Sequence, residues 1–318
     1  MKPRIAITMG DPAGIGPEIL LKALSDTRVH EWCRPVVYGD REWLENSASW
    51  LHLAPPVSIN QASAVNLSHI VRGQLSSTAA SSAIDAVVLA ARHAICGDVD
   101  AMVTAPLNKE AMALAGCPFP GHTELLASVT GTSGYGMMLM ADALRVVHVS
   151  THVSLRTAIE RVTPDRISEC ILLGHHACTD LGIGEPRIAV AGLNPHAGEH
   201  GLFGVEEIQV IGPTVERMVN MGLNVSGPIA PDTVFYRAAR GEFDLVIAMY
   251  HDQGHIPVKM LGFDRGVNIT LGLPIIRVSV DHGTAFDIAQ DGIASAESML
   301  FAIETAANMA NIRARHRQ

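Results

Sequence analysis

Short apolar runs alternate with longer amphipathic segments along the whole chain. The β-branched runs predict buried strands, for example "RIAIT", "PVVYG", "AMVTA", "LRVVHVS", "RIAVAGL", "DLVIAMY" and "IIRVSV". Between them, segments such as "SSTAASSAIDAVVLAARHAICG" and "TPDRISECILLGHHACTDLG" predict helices, the first with a serine or threonine cap and a stop at Gly97. This alternation is typical of a largely parallel sheet covered by helices on both faces. The sequence therefore predicts an α/β fold.

Composition narrows the class of protein. The chain has 318 residues, enough for one large unit or two lobes. Apolar residues make up 48% and charged residues 17%, so much of the surface is expected to be buried in a core or in a homo-oligomer interface. The formal charge of −9 and a single short basic stretch, "RARHRQ", argue against a nucleic-acid partner.

The compartment is predicted from two further features. No stretch reaches the roughly 18 consecutive apolar residues of a membrane span, and the apolar run before Gly10 is too short for a secretory signal. The five cysteines form no Cys-x-x-Cys pair and are interpreted as reduced thiols. A cytoplasmic protein without a membrane partner is expected.

Histidines follow several of the predicted strands. His152, His196 and His251 each come shortly after an apolar run, where ligands bind in open α/β sheets. Three neutral imidazoles can hold a divalent metal and leave positions open for substrate or water. With 15 histidines in the chain, other residues compete for this role: His148 lies inside a strand, His175 and His176 lie in a helix, and His200 and His255 flank the candidate ligands.

Arg277 lies inside the apolar run "IIRVSV", where an unpaired guanidinium would be costly. Its partner is either an internal carboxylate or the phosphate or carboxylate of a ligand, and the sequence leaves both open. Lys259 and Asn268 come from the same region, although an isolated lysine is usually a solvated surface residue.

The glycine loop "GDPAGIGPE" lacks both the P-loop and the dinucleotide-binding spacing. It is either a plain strand-to-helix turn or a helix start whose free N–H groups hold an anion or the edge of a cofactor.

Seven stretches together resemble the PdxA family, in the same order from residue 10 to about residue 290: "GDPAGIGPE", "TAPLNKEAM", "GHTELL", "GLNPHAGEHG", "AMYHDQGH", "RGVNITLGLPIIR" and "SVDHGTAFDIA". This family comprises 4-hydroxythreonine-4-phosphate dehydrogenase and its D-threonate and D-erythronate 4-phosphate dehydrogenase paralogues. The resemblance implies two α/β/α lobes with a central cleft, similar to isocitrate and isopropylmalate dehydrogenases. Lobe one would comprise residues 1–130 with about 275–318, and lobe two, with the metal ligands and dimer contacts, about 131–274.

The resemblance also implies roles for individual residues. The metal ligands would be His152, His196 and His251, and the substrate contacts His122, Thr123, Lys259, Asn268 and Arg277. Catalytic roles would fall on Asp232, Asp252 and Lys259, and cofactor contacts on Gly10, Asp11, Asp281, His282, Gly283 and Thr284. The cofactor would be NAD or NADP, with one divalent metal (Zn, Mg, Co or Mn) in each site of a homodimer that shares its active sites.

The implied reaction is oxidation of a 3-hydroxy acid to a 3-keto acid that then loses CO2. Departures such as "HDQGHIP" and "NPHAGEHGLFG" are closer to the D-threonate and D-erythronate 4-phosphate paralogues than to enzymes acting on 4-phosphohydroxy-L-threonine. A terephthalate dihydrodiol dehydrogenase shares "HDQGHIP" but lacks the "PLNK" and "GHTE" kept here, which favours a phosphorylated substrate. "DIAQDG" differs from relatives at Gln290 and Asp291, on the cofactor side. The alternative from another class is a non-catalytic, metal-binding sugar-phosphate sensor.

Overall fold

The chain forms two compact units in the computed structural model, which describes residues 2–262 and 264–316. Unit 1 comprises Met1–Ser133 with Leu273–Gln318, and unit 2 comprises Gly134–Gly272.

Unit 1 contains a parallel sheet with the strand order β3-β2-β1-β4-β11. Its strands are β1 (Arg4–Thr8), β2 (Arg34–Gly39), β3 (Ile59–Gln61), β4 (Ala101–Thr104) and β11 (Arg277–Val280). Its helices are α1 (Gly16–Ser25), α2 (Thr27–Trp32), α3 (Arg41–Trp50), α4 (Ser77–Cys96), α5 (Lys109–Leu114), α6 (His122–Thr130) and α12 (Glu297–His316).

Helix α4 confirms the predicted cap and stop. The Ser76 hydroxyl accepts a hydrogen bond from the Ala79 N–H, and Gly97 ends the helix in the left-handed region at φ +80°. By length and composition alone, α4 could cross a membrane, and within residues 2–262 and 264–316 it is the one helix that could. Its alanine-rich face is buried and packs on β1, β2 and β4, as in the core helix of a globular domain.

Unit 2 contains a mixed sheet with the strand order β10-β5-β6-β9-β7-β8. Its strands are β5 (Gly136–Ala141), β6 (Leu144–His148), β7 (Ile188–Ala191), β8 (Val225–Ile229), β9 (Leu245–Ala248) and β10 (Val267–Leu271). Its helices are α7 (Leu155–Glu160), α8 (Pro164–Asp180), α9 (Gly212–Asn220), α10 (Pro231–Ala239) and α11 (His251–Gly262). β5 pairs antiparallel with β10 and β6, so the sheet is less uniformly parallel than the sequence predicted.

The strands that precede the candidate metal ligands are neighbours. β6 pairs parallel with β9, and β9 pairs parallel with β7. Parallel neighbours end at the same edge of a sheet, so the segments that follow all three strands leave from one edge.

Candidate active-site residues

His152 and His251 lie side by side at this edge of the unit 2 sheet. Their ring centroids are 5.6 Å apart. Both rings line a cavity of about 510 Å³, together with Thr151, Ser154, Tyr250 and Asp252. A larger cavity, of about 730 Å³, lies in unit 1 and contains none of the predicted site residues. The chemistry of the residues, rather than cavity size, therefore points to the histidine pair.

Asp252 engages one nitrogen of the His251 ring. The Asp252 Oδ1 lies 2.6 Å from the His251 Nδ1, which leaves Nε2 as the nitrogen able to bind a metal. A carboxylate on the second nitrogen is the usual way in which a metal-binding imidazole is oriented and made more basic. The geometry therefore places Asp252, predicted to be catalytic, as the partner of a candidate ligand.

Two further imidazoles, those of His255 and His148, are buried next to the His251 ring. The His255 ring stacks on His251 with centroids 3.5 Å apart. Its Nδ1 lies 3.1 Å from the His148 Nε2 and 3.1 Å from the His251 carbonyl oxygen. Burial lowers the pKa of His255 to about 4 and holds that of His148 well below 6.5, so both rings are neutral at pH 7. A Cβ at Gly254 would lie 2.3 Å from the His148 Nε2, which explains the glycine in "HDQGH".

His196 lies in a separate, left-handed turn. The turn Pro195–Gly201 follows β7, and His196 itself has a φ of +53°. Its ring lies 6.1 Å from that of Phe203. Among the described residues, no three His, Cys, Asp or Glu side chains are grouped to hold a metal ion. One chain therefore brings two of the three predicted ligands together.

The other predicted residues of unit 2 lie on two helices and a strand. Lys259 is exposed on α11 at the i+8 position from His251, and its charge helps to lower the pKa of His255. His251, His255 and Lys259 therefore share one face of α11. Asn268 is partly buried on β10, and Asp232 is exposed in the first turn of α10.

In unit 1, Arg277 is buried on β11. Its Nη2 and Nε donate to the Thr104 hydroxyl at 2.7 and 3.2 Å. Burial lowers its pKa to about 10, against the opposing effect of the Glu124 carboxylate, so the guanidinium is still charged at neutral pH. The buried cation predicted from "IIRVSV" is confirmed, with a hydroxyl as one of its partners.

His122 begins α6 beside this arginine. The N-cap, Gly121, offers no side chain to the free N–H groups of the helix, and Thr123 follows in the first turn. The His122 Nε2 is buried and has no hydrogen-bond partner among the described residues. Burial, and then the charges of Arg277 and Lys109, lower the pKa of His122 to about 3. A bound anion would satisfy both the imidazole and the helix start.

Lys109 was not singled out from the sequence. It begins α5 and its charge acts on His122, so it adds a second cation to the Arg277 region. Only its place in the "PLNK" motif signalled a role. Without that motif, a lysine at a helix start is interpreted as a solvated surface residue.

The two stretches predicted to contact the cofactor are bonded to each other within unit 1. The Ile15 N–H donates to the Thr284 carbonyl oxygen at 2.9 Å, and a Cβ at Gly14 would lie 2.8 Å from the same oxygen. Gly10 has a φ of +73° and is buried, whereas His282 and Gly283 are exposed and Asp281 is partly exposed.

Asp11 carries an unusual carboxyl group. Its Oδ1 accepts from the Ala13 N–H at 2.9 Å, and its Oδ2 is buried without a hydrogen-bond partner among the described residues. Burial raises its pKa to about 6. Perturbed and incompletely satisfied groups of this kind are typical of ligand-binding sites.

Known proteins resemble this chain over nearly its whole length. Residues 31–306 match the family described as pyridoxal phosphate biosynthetic protein PdxA. D-threonate 4-phosphate dehydrogenase from Cupriavidus necator is 48% identical, with 98% of each chain covered. 4-Hydroxythreonine-4-phosphate dehydrogenase from Desulfosudis oleivorans is 46% identical, with 97% of this chain and 96% of that one covered.

Solved structures agree with these relatives and confirm the predicted fold class. The crystal structure of 4-hydroxythreonine-4-phosphate dehydrogenase from Klebsiella pneumoniae matches with a TM-score of 0.88 and 44% identity, covering 97% of this chain and 99% of that one. The chain therefore belongs to the PdxA family of dehydrogenases.

Proposed function

We propose that this dehydrogenase oxidises a 4-phosphorylated four-carbon 3-hydroxy acid, either D-threonate 4-phosphate or D-erythronate 4-phosphate. The product would be a 3-keto acid that loses CO2. The observation that carries the proposal is the Nε2 atom of His122. Within the described part of the chain, this atom is buried and has no hydrogen-bond partner. It lies near two cations, Arg277 and Lys109, at a helix start that has no side-chain cap. The relative from C. necator, named for D-threonate 4-phosphate, favours the same substrate class.

The residues of unit 1 would bind the phosphate. Arg277 and Lys109 supply positive charge, and the N–H groups at the start of α6 point at an incoming anion. Neutral His122 would donate one hydrogen bond from Nε2, with Thr123 adding a hydroxyl. Because Arg277 is already ordered by the Thr104 hydroxyl, little side-chain freedom is lost on binding.

The residues of unit 2 would hold the metal and move the proton. His152 and His251 lie close enough to bind one divalent cation. Asp252 fixes the tautomer of His251, and the neutral rings of His148 and His255 lie behind the His251 ring. A bound cation would lower the pKa of the substrate hydroxyl and stabilise negative charge on the oxygen. Lys259, on the same face of α11 as His251, is assigned to contact the substrate and, after its ammonium group has lost a proton, to accept the proton of the substrate hydroxyl. The hydride would leave to the nicotinamide of NAD or NADP beside the 10–15 and 281–284 stretches.

We further propose a homodimer in which His196 of the partner subunit completes the metal site. Large apolar side chains of unit 2 are exposed around these residues, including Met260 at 82%, Leu202 at 73% and Ile256 at 60%. A His152→Ala subunit mixed with a His196→Ala subunit should then recover partial activity after exchange. A His152→Ala subunit mixed with a His251→Ala subunit should not, because these two residues lie side by side in one chain. Equal recovery in both mixtures would contradict the shared site.

A substrate panel tests the reaction itself. D-threonate 4-phosphate, D-erythronate 4-phosphate and 4-phosphohydroxy-L-threonine would each be offered with NAD and with NADP, and the reduced nicotinamide measured by absorbance. The two sugar-acid phosphates should give the higher kcat/KM. Preference for 4-phosphohydroxy-L-threonine would favour the reaction named for the D. oleivorans relative. Binding without any reduction of cofactor would favour the sensor.

We place the protein in the cytoplasm, in line with its five free cysteines.

A further inference from the structure

An irregular segment before α4 connects the two cofactor stretches of unit 1. We call residues 67–74 the strap. The Gly73 N–H donates to the Ala13 carbonyl oxygen at 2.7 Å, which joins the strap to the glycine loop. The Gln290 Nε2 donates to the Arg72 carbonyl oxygen at 2.9 Å, and a Cβ at Gly73 would lie 2.7 Å from the Phe286 carbonyl oxygen. The strap therefore touches the glycine loop and the segment that directly follows residues 281–284, next to the two stretches that are assigned to the nicotinamide cofactor.

Arg72 fixes the strap to α3. Its guanidinium carbon lies 4.4 Å from the Trp50 ring centroid and 5.4 Å from that of Trp43. The Arg72 Nη2 donates to the Ser47 hydroxyl at 2.7 Å. Two indole faces and one hydroxyl thus hold this side chain in a single orientation.

The charge of this arginine is not balanced by an ion pair within the described part of the chain. Among the described residues, none forms an ion pair with it, and its buried Nη1 has no hydrogen-bond partner. Burial lowers its pKa, with only a weaker opposing effect from Glu18. A partly desolvated, unpaired cation is costly, whereas leucine or methionine could fill the space between two indoles. What the arginine adds is a fixed position for the strap.

The far end of the second cofactor stretch is fixed in a different way. The Glu18 Oε1 accepts from the Ala294 N–H at 2.7 Å, and Lys22 donates to the carbonyl oxygens of Gly292 and Ala294, each at 2.8 Å. The segment from Thr284 to Ala294 is thus held by the glycine loop, by the strap and by α1. The strap is the one of these three attachments that lies outside residues 10–25, and it is bonded to the glycine loop as well.

We propose that Arg72 is a positioning residue for the nicotinamide cofactor. It holds the strap, and the strap holds the glycine loop and the Thr284–Ala294 segment at a fixed separation. This inference rests on the proposed function, in which these two stretches bind NAD or NADP. A site whose two walls are already ordered loses less freedom when its ligand binds, so loosening the strap should weaken cofactor binding before it affects substrate binding.

The test compares Arg72→Met and Arg72→Lys with wild type and with Arg28→Met. Methionine keeps most of the apolar volume without the charge. Arg28 is a matched control, since its guanidinium also lies over an indole, that of Trp32 at 5.8 Å, but its hydrogen bonds are to Asp26. NADH and NADPH binding would be titrated by nicotinamide fluorescence without substrate, and hydrogen exchange would be followed in the peptide covering residues 284–294.

Arg72→Met should raise the Kd for the reduced cofactor by about five-fold or more, Arg72→Lys by less, and Arg28→Met not at all. Exchange should rise in residues 284–294, and KM for the phosphorylated substrate should stay unchanged. Should Arg72→Met fail to fold, Gln290→Ala removes only the hydrogen bond to the strap and should shift Kd in the same direction by about two-fold or more. Wild-type Kd in either variant would overturn the inference alone. Failure of the wild type to bind either cofactor would instead overturn the proposed function, and the inference with it.

Discussion

Replacing Glu207 by glutamine should destabilise the turn that carries His196. Six consecutive residues, 196–201, have positive φ, and four of them are not glycine. Each non-glycine residue in this region costs roughly 1 kcal/mol, so the turn persists only if its surroundings fix it. The Glu207 carboxylate is buried and accepts hydrogen bonds from the two residues that lead into the turn, Leu193 and Asn194.

The contacts of Glu207 set the size of the effect. Its Oε1 accepts from the N–H groups of Leu193 and Asn194, both at 2.7 Å, and its Oε2 accepts from the Asn194 Nδ2 at 2.9 Å. Glutamine would keep the first oxygen but would place an NH2 group against the Asn194 amide. That amide cannot simply turn over, because its Nδ2 also donates to Glu206 at 2.7 Å. Losing one charge-assisted bond and weakening two others predicts a loss of about 2–4 kcal/mol in the free energy of unfolding.

Urea unfolding and competition with a chelating dye would measure this prediction. Glu207→Gln should lower the free energy of unfolding by about 2–4 kcal/mol, which corresponds to roughly 3–6 °C in Tm for a chain of this length. It should also weaken metal affinity about ten-fold or more, as is typical when the residues that orient ligands are changed. Glu206→Gln is the matched control, since this neighbouring carboxylate is less buried and does not bond the Leu193 N–H; it should cost about 1 kcal/mol or less. Unchanged stability in Glu207→Gln, or equal losses in both variants, would refute the reasoning.

Three further predictions concern the metal site, the phosphate site and the dependence of protein stability on pH. Exhaustive chelation should abolish turnover, and added Zn²⁺, Mg²⁺, Co²⁺ or Mn²⁺ should restore it; full activity without metal would contradict this. Arg277→Ala should raise KM for the phosphorylated substrate by about 10- to 100-fold with KM for NAD unchanged, and an unchanged substrate KM would make Arg277 purely structural. In metal-free protein, the pKa values of His122 (about 3) and His255 (about 4) lie below 6.5, so the stability they contribute above pH 6.5 is lost as the pH falls. Urea unfolding should show a loss of about 1–1.5 kcal/mol per pH unit as the pH falls from 6.5 to about 5, because Asp11 takes up a proton in the folded state and offsets about one of the two protons that the unfolded histidines bind. A flat profile would contradict both assignments.

The placement of the histidines could be predicted only in part. His152 and His251 follow apolar runs, and parallel strands end at one edge, so their proximity follows if β6 and β9 are neighbours. Nothing local fixes that strand order. The turn around His196 was beyond prediction, because no intrinsic propensity favours four non-glycine residues at positive φ. The antiparallel strands β5 and β10 were also missed, since "GMMLMA" and "VNITL" carry no clear alternation.

Of the buried charges, the sequence analysis predicted that of Arg277. Glu18 was not singled out as a buried residue, yet its carboxylate is buried and accepts from the Ala294 N–H and from Lys22. Arg277 was correctly identified as a buried cation, whereas Lys109 was missed because its importance comes from proximity to His122.

What separates a structural polar group from a ligand-binding one is whether the protein itself satisfies it. Both carboxylate oxygens of Glu207 receive hydrogen bonds from the chain, so the burial of Glu207 is explained by the fold. Among the described residues, the His122 Nε2 and the Asp11 Oδ2 are buried without a partner, so their desolvation is not offset within the protein. Glu207 was not singled out from the sequence, whereas the resemblance to the PdxA family singled out His122 and Asp11. Other groups, such as Arg72 and Glu18, also have one buried atom without a hydrogen-bond partner in the described part of the chain, but His122 and Asp11 lie in stretches that resemble the substrate and cofactor motifs of the family. The two observations together make His122 and Asp11 the residues at which a phosphate and a cofactor should be sought.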